Sequence, residues 1–406
     1  MAAKPVTDWP APRYASELPA TADVVVVGGG IVGAATAFFA CRAGLRVVLL
    51  EKRPALCTLT TPASTGAFRL QFDNPEEIAL VREGIELFEN FGEVANLPGY
   101  DLDIRQQGYL FCATSEAGIE HQRHFVEALE GWGIDDVELL SGDEARHRFS
   151  FLSPEIVQAR FRARDGWLDP KRLTFGYARA SGASICLDTP ATGFVLRGDR
   201  VVGVQTPRGD IACQYAVVAA GPFAGRVAAM AGVHLDLRPT IRHKLVIPDL
   251  PALPPDGPMT IHEETAAHWR PGLRGAYGLW TDPRTPRGEP LDNVPTSVDF
   301  ALGLLDPRSP NSLALLSPVW RTAWEEGTLY WLLQAGQYTY TADHRPLLGP
   351  ADAPGLVLNC GYSGHGIMAS AGGSRLAVDA MLGKLSLDQN PFRPQRTMVE
   401  RPLDIL

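Results

Sequence analysis

The hydrophobic pattern of the first fifty residues predicts one β-α-β unit. Four consecutive valines, Val24–Val27, form an unbroken apolar run, which is typical of a strand buried on both faces of a parallel sheet. A glycine-rich turn, a helix over residues 31–43 and a second strand over residues 46–50 follow in the pattern. Gly44 stands where a helix end with positive φ is expected. The unit therefore predicts an α/β fold.

Three glycines between the strand and the helix fit the pattern G-x-G-x-x-G. Gly28 permits a tight turn, Gly30 lets the backbone approach a pyrophosphate, and Gly33 lets the helix pack closely on the strand. Glu51, after the second strand, is placed to accept hydrogen bonds from a ribose diol, and its charge disfavours a 2′-phosphate. These features predict a dinucleotide site, but alone they do not distinguish NAD from FAD.

The rest of the chain does not repeat the β-α-β pattern. Residues 57–77 form a polar, glycine-bearing loop, and residues 193–221 predict three strands that lead into a small-residue turn. Proline-rich connections and aromatic strands occupy residues 236–335. A further strand, a glycine turn and a helix of small residues close the chain. We therefore expect a nucleotide domain assembled from discontinuous segments.

Composition narrows the class of protein further. A length of 406 residues favours two domains, given roughly 150 residues per domain. The net charge is −9 and no basic run tracks a phosphate backbone, so we expect no nucleic-acid partner. Six scattered cysteines lack a C-x-x-C pair, which predicts reduced thiols and no metal site. No apolar run approaches the about 18 residues of a membrane span, and we expect a cytoplasmic protein.

Four motifs, in chain order, carry a resemblance to a known family: "DVVVVGGGIVGAATAFFACRAGLRVVLLEKR", "VVAAGPFAG", "TADHRPLLGP" and "GYSGHGIMASAGGSRLAVD". With them the chain resembles the FAD-dependent amino acid oxidase superfamily that contains D-amino-acid oxidase, glycine oxidase and sarcosine oxidase. Through "STGAFRLQFDNPE" and "GQYTYTADHRPLLG" it looks most like the sarcosine oxidase and dimethylglycine dehydrogenase branch. The resemblance thus favours FAD over NAD.

The resemblance implies an α/β fold, α+β overall, with a Rossmann-type FAD-binding domain and a substrate domain. The substrate domain is expected to contain a large mixed or antiparallel sheet that covers the flavin. We assign residues 22–100, 151–235 and 340–390 to the FAD-binding domain, residues 101–150 and 236–339 to the substrate domain, and residues 1–21 and 391–406 to terminal extensions.

The resemblance also implies which residues hold extended FAD. The family's covalent cysteine corresponds to Gly336, and no histidine occupies the early loop used for attachment in the dimethylglycine branch, so we expect noncovalent FAD. Backbone N–H groups of the "GYSGHG" turn, at a helix N-terminus, are expected at the flavin pyrimidine edge. The candidate cofactor residues are Gly28, Gly30, Ile31, Val32, Gly33, Glu51, Lys52, Ser64, Thr65, Gly66, Ala220, Gly221, Gly361, Ser363, Gly364, His365, Gly366 and Ile367.

Candidate substrate residues follow from the same resemblance. Arg69 matches a family arginine that binds the substrate carboxylate, a task suited to a guanidinium. Tyr338 matches a tyrosine above the flavin, and Tyr340 on the same strand face is the alternative contact. Met368 stands where sarcosine oxidase has a lysine that forms the second cationic arm of its carboxylate site. The arginine of glycine oxidase is also absent, and its position falls near Tyr338. We therefore expect one strong cation and a pocket for a substrate larger or less compact than sarcosine.

Three histidines complete the candidates. His262 and His268 fall where the family places basic residues that assist reaction with oxygen, and His365 lies in the glycine turn. A lone histidine is more often a structural group than a chemical one, and that interpretation stays open for each of the three. The predicted catalytic residues are therefore Arg69, Tyr338, His268, His262 and His365.

The sequence is interpreted as that of an FAD-dependent oxidase of an amino acid, favouring a secondary amine such as an N-substituted glycine. Hydride transfer to flavin N5 would give an imine, and oxygen would yield hydrogen peroxide. The alternatives are a dehydrogenase that reduces a quinone, an electron-transfer protein or a partner subunit; an NAD-dependent dehydrogenase; and a flavoprotein-like assembly subunit. The substrate side chain and the oligomeric state stay open.

Overall fold

The computed structural model describes residues 9–282, 285 and 287–400. The strands in this part of the chain are β1 (Val24–Val27), β2 (Val47–Leu50), β3 (Ala67–Phe68), β4 (Tyr109–Ala113), β5 (Glu138–Ser141), β6 (Gln158–Arg162), β7 (Gly166–Trp167), β8 (Ser184–Cys186), β9 (Gly193–Arg197), β10 (Arg200–Thr206), β11 (Gly209–Ala212), β12 (Tyr215–Val218), β13 (Arg238–Ile247), β14 (Met259–His262), β15 (His268–Gly272), β16 (Gly275–Leu279), β17 (Leu332–Tyr340), β18 (Leu347–Pro350) and β19 (Leu356–Cys360).

The α-helices are α1 (Ile31–Arg42), α2 (Thr60–Ala63), α3 (Pro75–Glu89), α4 (Phe91–Val94), α5 (Glu116–Gly131), α6 (Gly142–Arg148), α7 (Pro170–Ser181), α8 (Ala224–Ala229), α9 (Val298–Leu305), α10 (Pro318–Glu325) and α11 (Ser370–Met381). Short 3₁₀ helices occur at Gly221–Phe223, Leu313–Leu315 and Leu387–Gln389. Within the described ranges, no helix is both long enough and apolar enough to cross a membrane.

The first sheet has six strands in the order β18-β19-β12-β1-β2-β8. All neighbours pair in parallel except the edge strand β18, which is antiparallel to β19. Val24 and Val26 face α1, whereas Val25 and Val27 face the antiparallel meander β9-β10-β11. Because strand side chains alternate between faces, burial of both faces explains the unbroken run of valines.

Three distant parts of the chain build this sheet. Strands β1 and β2 come from the N-terminal β-α-β unit, β8 and β12 from residues 184–218, and β18 and β19 from residues 347–360. The expected discontinuous nucleotide-binding fold is therefore observed. The region predicted as three strands contains four, because β12 leaves the meander and inserts beside β1.

The second sheet has eight strands in the order β17-β13-β16-β15-β14-β4-β6-β5. Its pairings are antiparallel except for β14 with β4, so it is the expected large mixed sheet. β6 pairs with both β4 and β5 inside this sheet. β6 lies within residues 151–235, which the sequence assigns to the FAD-binding domain, but it shares a sheet with strands of the segments assigned to the substrate domain.

The described segments nearest the two chain ends pack against the body of the protein. Tyr14 forms a parallel bridge with Ile185, beside the edge strand β8 of the first sheet. At the other end Phe392 is buried in the helical core, and Arg396 bonds to Asp343 at 2.7 Å. The two predicted terminal extensions thus contribute contacts where the structure describes them.

Candidate functional site

The glycine turn after β1 is shaped by close backbone packing. Gly28 has φ +119°, and a Cβ there would lie 2.5 Å from the Ala219 carbonyl oxygen at the end of β12. A Cβ on Gly33 would lie 1.8 Å from the Gly28 carbonyl oxygen. Gly30 is the N-cap of α1 and supplies no side-chain cap. The first turn of α1 therefore presents backbone N–H groups and the positive end of the helix dipole, which suit an anion.

Glu51 closes this end of the site. Its two carboxylate oxygens accept hydrogen bonds from the Gly29 and Arg53 N–H groups, each at 2.8 Å. Burial raises the pKa of Glu51, and these backbone hydrogen bonds oppose the rise. Nζ of the neighbouring Lys52 lies 3.4 Å from the centre of the Phe223 ring and forms an ion pair with Asp292. Glu51 is therefore held in place by backbone groups while it lines the adjoining cavity.

An elongated cavity of about 320 Å³, here called the first cavity, runs from the glycine turn to the second glycine turn at residues 361–367. Thr61, which sequence reasoning missed, also lines it and accepts a hydrogen bond from the Ile31 N–H at 3.2 Å. The predicted cofactor residues along the cavity are Gly28, Gly30, Ile31, Val32, Glu51, Lys52, Ser64, Ala220, Gly221, Gly361, Ser363, Gly364, Gly366 and Ile367.

Four predicted cofactor residues are not among those that line the first cavity. Gly33 and Gly66 serve close packing, since a Cβ on Gly66 would lie 1.9 Å from the Leu168 carbonyl oxygen. Thr65 and His365 instead line a second cavity. Sequence position alone did not separate these roles, because adjacent residues in a turn point in different directions.

The second glycine turn has a left-handed backbone at three positions, Gly361, Ser363 and Gly364, with φ of +76°, +49° and +103°. A Cβ on Gly364 would lie 2.5 Å from Cε2 of Tyr338, so glycine lets that ring approach the turn. The helix α11 begins only at Ser370. The predicted helix N-terminus at this turn is therefore wrong, because residues 366–369 form further turns before the helix.

A buried polar network ties the second turn to the first. The Asn359 amide donates to the hydroxyls of Thr36 on α1 at 2.8 Å and Ser374 on α11 at 3.0 Å, and its oxygen accepts from Tyr362. Because these buried polar groups satisfy one another, the network fixes α1, β19 and α11 relative to each other. The network therefore links the elements that carry the two glycine turns, one at each end of the first cavity.

The second cavity has a volume of about 120 Å³ and adjoins the first. Ser64, Tyr338, Ser363, Gly364 and Ile367 line both. The other predicted site residues that it brings together are Thr65, Arg69, His268, Tyr340, His365 and Met368.

Arg69 is buried in the wall of the second cavity, with 2% of its surface exposed. One terminal nitrogen donates to the Gln71 carbonyl, and the guanidinium carbon lies 4.2 Å from the centre of the Phe72 ring. Burial lowers the pKa of Arg69, although nearby Tyr109 and Asp165 oppose that shift. The guanidinium has donors beyond the one used by Gln71, and these can serve a bound anion.

Arg242 on β13 is a second arginine in this cavity, and sequence reasoning missed it. It is 8% exposed and donates to the Tyr340 hydroxyl at 3.1 Å and to the Ile241 carbonyl at 3.2 Å. Its Nε is buried without a hydrogen-bond partner among the described residues. The expectation of one strong cation is therefore wrong. The sequence signal that could have identified it is the charged side chain of Arg242 within the alternating pattern of β13.

The two tyrosines lie side by side at the end of β17. Their ring centres are 6.2 Å apart, and the Arg242 guanidinium lies 5.9 Å from the Tyr338 ring and 5.4 Å from the Tyr340 ring. Burial raises the pKa of Tyr338 to about 12. Tyr338 is therefore a neutral hydroxyl at ordinary pH, and it lines both cavities.

The three histidines have different surroundings. His268 is buried in the second cavity, where burial lowers its pKa to about 4, and its Nδ1 lies 2.7 Å from the Ala266 carbonyl. The neutral ring donates from Nδ1, which leaves Nε2 as an acceptor. His365 pairs with Glu77 at 3.2 Å. His262 lines neither cavity and contacts the hydroxyls of Thr114 and Thr265, so neither cavity supports its predicted place over the flavin.

Two buried cations fix the segment that precedes Arg69. Lys244 donates to the carbonyls of Pro62 and Ser64 at 3.1 and 3.0 Å, and burial lowers its pKa to about 8. Arg270 donates to the Thr65 carbonyl at 2.6 Å. Because Ser64 lines both cavities, these contacts position the wall where the cavities meet.

Comparison with known proteins identifies the family. Residues 23–380 match the family described as FAD dependent oxidoreductase (DAO), and the chain belongs to it. The predicted FAD-dependent oxidoreductase is thereby confirmed.

Individual relatives are consistent with that family. FAD-dependent oxidoreductase domain-containing protein 1 of Xenopus laevis is 28% identical over 98% of this chain and 88% of its own length. Human mitochondrial sarcosine dehydrogenase is 26% identical over 93% of this chain, but the match spans only 42% of that protein. Glycine oxidase from Geobacillus kaustophilus has the same fold, with a TM-score of 0.80 at 22% identity over 93% of this chain and 100% of that one.

Proposed function

We propose that the protein oxidises the C–N bond of an amino acid, favouring a secondary amine such as an N-substituted glycine. The observation that carries this proposal is the second cavity, where buried Arg69 and neutral His268 lie beside Tyr338, which also lines the first cavity. Sarcosine dehydrogenase among the relatives supports the same class of substrate. The products would be an imine and, with oxygen as acceptor, hydrogen peroxide.

The first cavity fits FAD. Its glycine turn leaves the start of α1 open to a pyrophosphate, and Glu51 at the end of β2 suits a ribose diol. When bound, FAD supplies a ring that accepts a hydride from the substrate carbon. We propose noncovalent binding because Gly336 occupies the position of the family's attaching cysteine.

We assign substrate binding and orientation to residues of the second cavity. Arg69 is proposed to hold the substrate carboxylate, since a guanidinium presents paired donors of matching geometry. Tyr338 restricts the space beside both cavities and can donate its hydroxyl proton. His268 stays neutral, so its Nε2 can accept a hydrogen bond from the N–H of a neutral substrate amine, which leaves the nitrogen lone pair free to stabilise an iminium.

Anaerobic mixing tests the proposal. The FAD-loaded protein is mixed with N-methyl and longer N-alkyl amino acids and with the matching primary amino acids. Loss of the visible flavin absorbance with the secondary amines is the expected result. An absorbance that none of these amines changes would reject the proposal.

A dehydrogenase that reduces an acceptor other than oxygen is the second candidate. Human sarcosine dehydrogenase, which is named as a dehydrogenase, matches 93% of this chain. Peroxide production in air is compared with reduction of an artificial electron acceptor by the same substrate. Stoichiometric peroxide supports the oxidase, whereas turnover only with the artificial acceptor supports the dehydrogenase.

A further inference from the structure

We infer that the substrate carries two carboxylates and that Arg242, together with Tyr340, binds the second one. This inference rests on the proposed amino acid oxidation and specifies the substrate class. The second carboxylate would belong either to the group on the substrate nitrogen or to the side chain. Arg69 would bind the first carboxylate.

The charge of the second cavity supports this assignment. Two buried arginines line a space of about 120 Å³. Among the described residues, no carboxylate lies within ion-pair distance of either guanidinium. Asp165, Glu77 and Asp73 offset the charge of Arg69 in part without an ion-pair contact. Burial of a charge that no carboxylate contacts is costly, and a bound anion reduces that cost. One carboxylate compensates one of the two charges, and a second carboxylate compensates the other.

The acidic residues of the cavity wall already have other partners. Glu77 accepts hydrogen bonds from the Asn74 amide at 2.7 Å and from His365 at 3.2 Å. Asp73 accepts one from the same Asn74 amide at 2.8 Å. These carboxylates are held on the α3 side of the cavity, whereas Arg242 extends from β13 beside the tyrosines of β17.

Arg242 and Tyr340 have donors for which the described residues supply no acceptor. Nε of Arg242 is buried and has no partner among the described residues. The Tyr340 oxygen accepts from Arg242 at 3.1 Å, which leaves the Tyr340 proton for donation elsewhere. A guanidinium Nε–H and a tyrosine O–H both donate, so the group that satisfies them must accept hydrogen bonds. A carboxylate does this and also matches the charge.

The two arginines lie on different walls. Arg69 follows β3 and stacks on Phe72, while Arg242 lies near the rings of Tyr338 and Tyr340. Two separate anion contacts are therefore favoured over one carboxylate shared by both guanidinium groups. The test must distinguish these two arrangements.

Binding of unreactive thioethers to the FAD-loaded protein provides that test. Methylthioacetate has one carboxylate, thiodiacetate has a second on the sulfur substituent, and methylthiosuccinate has a second on the side chain. None has a nitrogen, so none is a substrate of the proposed reaction. Dissociation constants are measured by calorimetry and by the change in the flavin spectrum.

In the wild-type protein, one of the dicarboxylates is expected to bind at least about tenfold more tightly than methylthioacetate. Tighter binding of thiodiacetate would place the second carboxylate on the nitrogen substituent, and tighter binding of methylthiosuccinate would place it on the side chain. Arg242→Met should abolish the gain while changing methylthioacetate binding by less than about threefold, and Arg69→Met should weaken all three ligands. Arg238→Met removes an arginine from the same strand that pairs outside the cavity, and it should retain the wild-type pattern.

Equal binding of one and two carboxylates by the wild-type protein would overturn the inference, even if Arg242→Met failed to fold. Equal weakening of all three ligands in Arg242→Met would also overturn it and would show a shared carboxylate site. The proposed function fails separately, when no amine reduces the flavin, because thioether binding requires no oxidation.

Discussion

Nδ1 of His365 lies 3.2 Å from the carboxylate of Glu77, so the second glycine turn is anchored to α3 across the floor of the second cavity. Burial opposes ionisation of Glu77, but hydrogen bonds from His365 and Asn74 and the charge of Arg69 outweigh it and lower the pKa of Glu77. The stabilisation from this carboxylate is therefore present above its unfolded pKa of about 4.3 and is lost as the pH falls through the lower folded value.

Glu77→Gln should destabilise the fold by about 1–3 kcal/mol at neutral pH, because the ionised acceptor between His365 and Asn74 is lost. The difference from wild type should shrink below about pH 4. Denaturant unfolding over a pH series measures both effects. Glu76→Gln, a more exposed neighbour paired with Arg345, is the control; an equal effect in both variants would contradict this prediction.

His268 should contribute a second pH dependence in a different range. Its folded pKa of about 4 lies below the unfolded value of about 6.5, so the unfolded chain binds the proton more readily. The stabilisation that neutral His268 contributes is fully present above about pH 6.5. Between about pH 6.5 and pH 4 this contribution to the free energy of unfolding falls by up to about 1.4 kcal/mol per pH unit. His268→Gln should flatten this slope in denaturant unfolding.

The exposed His147→Gln serves as the control for His268, and it should retain the wild-type slope. If His268→Gln and wild type lose stability in parallel between about pH 6.5 and 4, His268 is not buried in its neutral form.

Gly364→Ala should disturb the wall shared by the two cavities. The new Cβ would lie 2.5 Å from the Tyr338 ring, at a backbone φ of +103° that alanine rarely adopts. We expect a loss of about 1–3 kcal/mol in stability and weaker FAD retention after gel filtration. Gly383→Ala is the control, because Gly383 also has a positive φ, +71°, but its Cβ would meet no atom within 4 Å and it lines neither cavity. Similar FAD retention in the two variants would contradict the steric argument.

Glu51→Ala tests the ADP end of the first cavity. Loss of a charged acceptor for the ribose diol should weaken FAD binding about tenfold to a hundredfold. Titration of the apoprotein with FAD, followed by quenching of flavin fluorescence, measures the change. The exposed Glu17→Ala should bind FAD as the wild type does. Unchanged affinity in Glu51→Ala would limit Glu51 to its backbone contacts with Gly29 and Arg53.

Features encoded by neighbouring residues were accessible from the sequence. The valines of β1, the glycines of the first turn and the acidic end of β2 act within one β-α-β unit, so spacing alone predicts their arrangement. The placement of Arg69 and Tyr338 in one cavity required the family resemblance, because Arg69 follows β3 whereas Tyr338 lies in β17, and these two strands belong to different sheets.

Other features depend on contacts between distant segments. Arg242 becomes a cavity residue through pairing of β13 with β17, whose tyrosine lies 98 positions later. β6 joins the second sheet through β4, and His262 contacts Thr114 rather than the cavity. Hydrophobic period indicates which residues share a face of an element, but it does not specify which partner covers that face.

The strand order of the first sheet has a consequence for biosynthesis. β12 lies between β1 and β19, and β19 begins at Leu356, 138 positions after β12 ends at Val218. A nascent chain that ends before β19 leaves an edge of β12 unpaired and lacks the second glycine turn. Assembly of the cofactor cavity must therefore follow synthesis of β19 and the second glycine turn, and it involves slow long-range pairing. Premature termination should yield no partly functional flavoprotein.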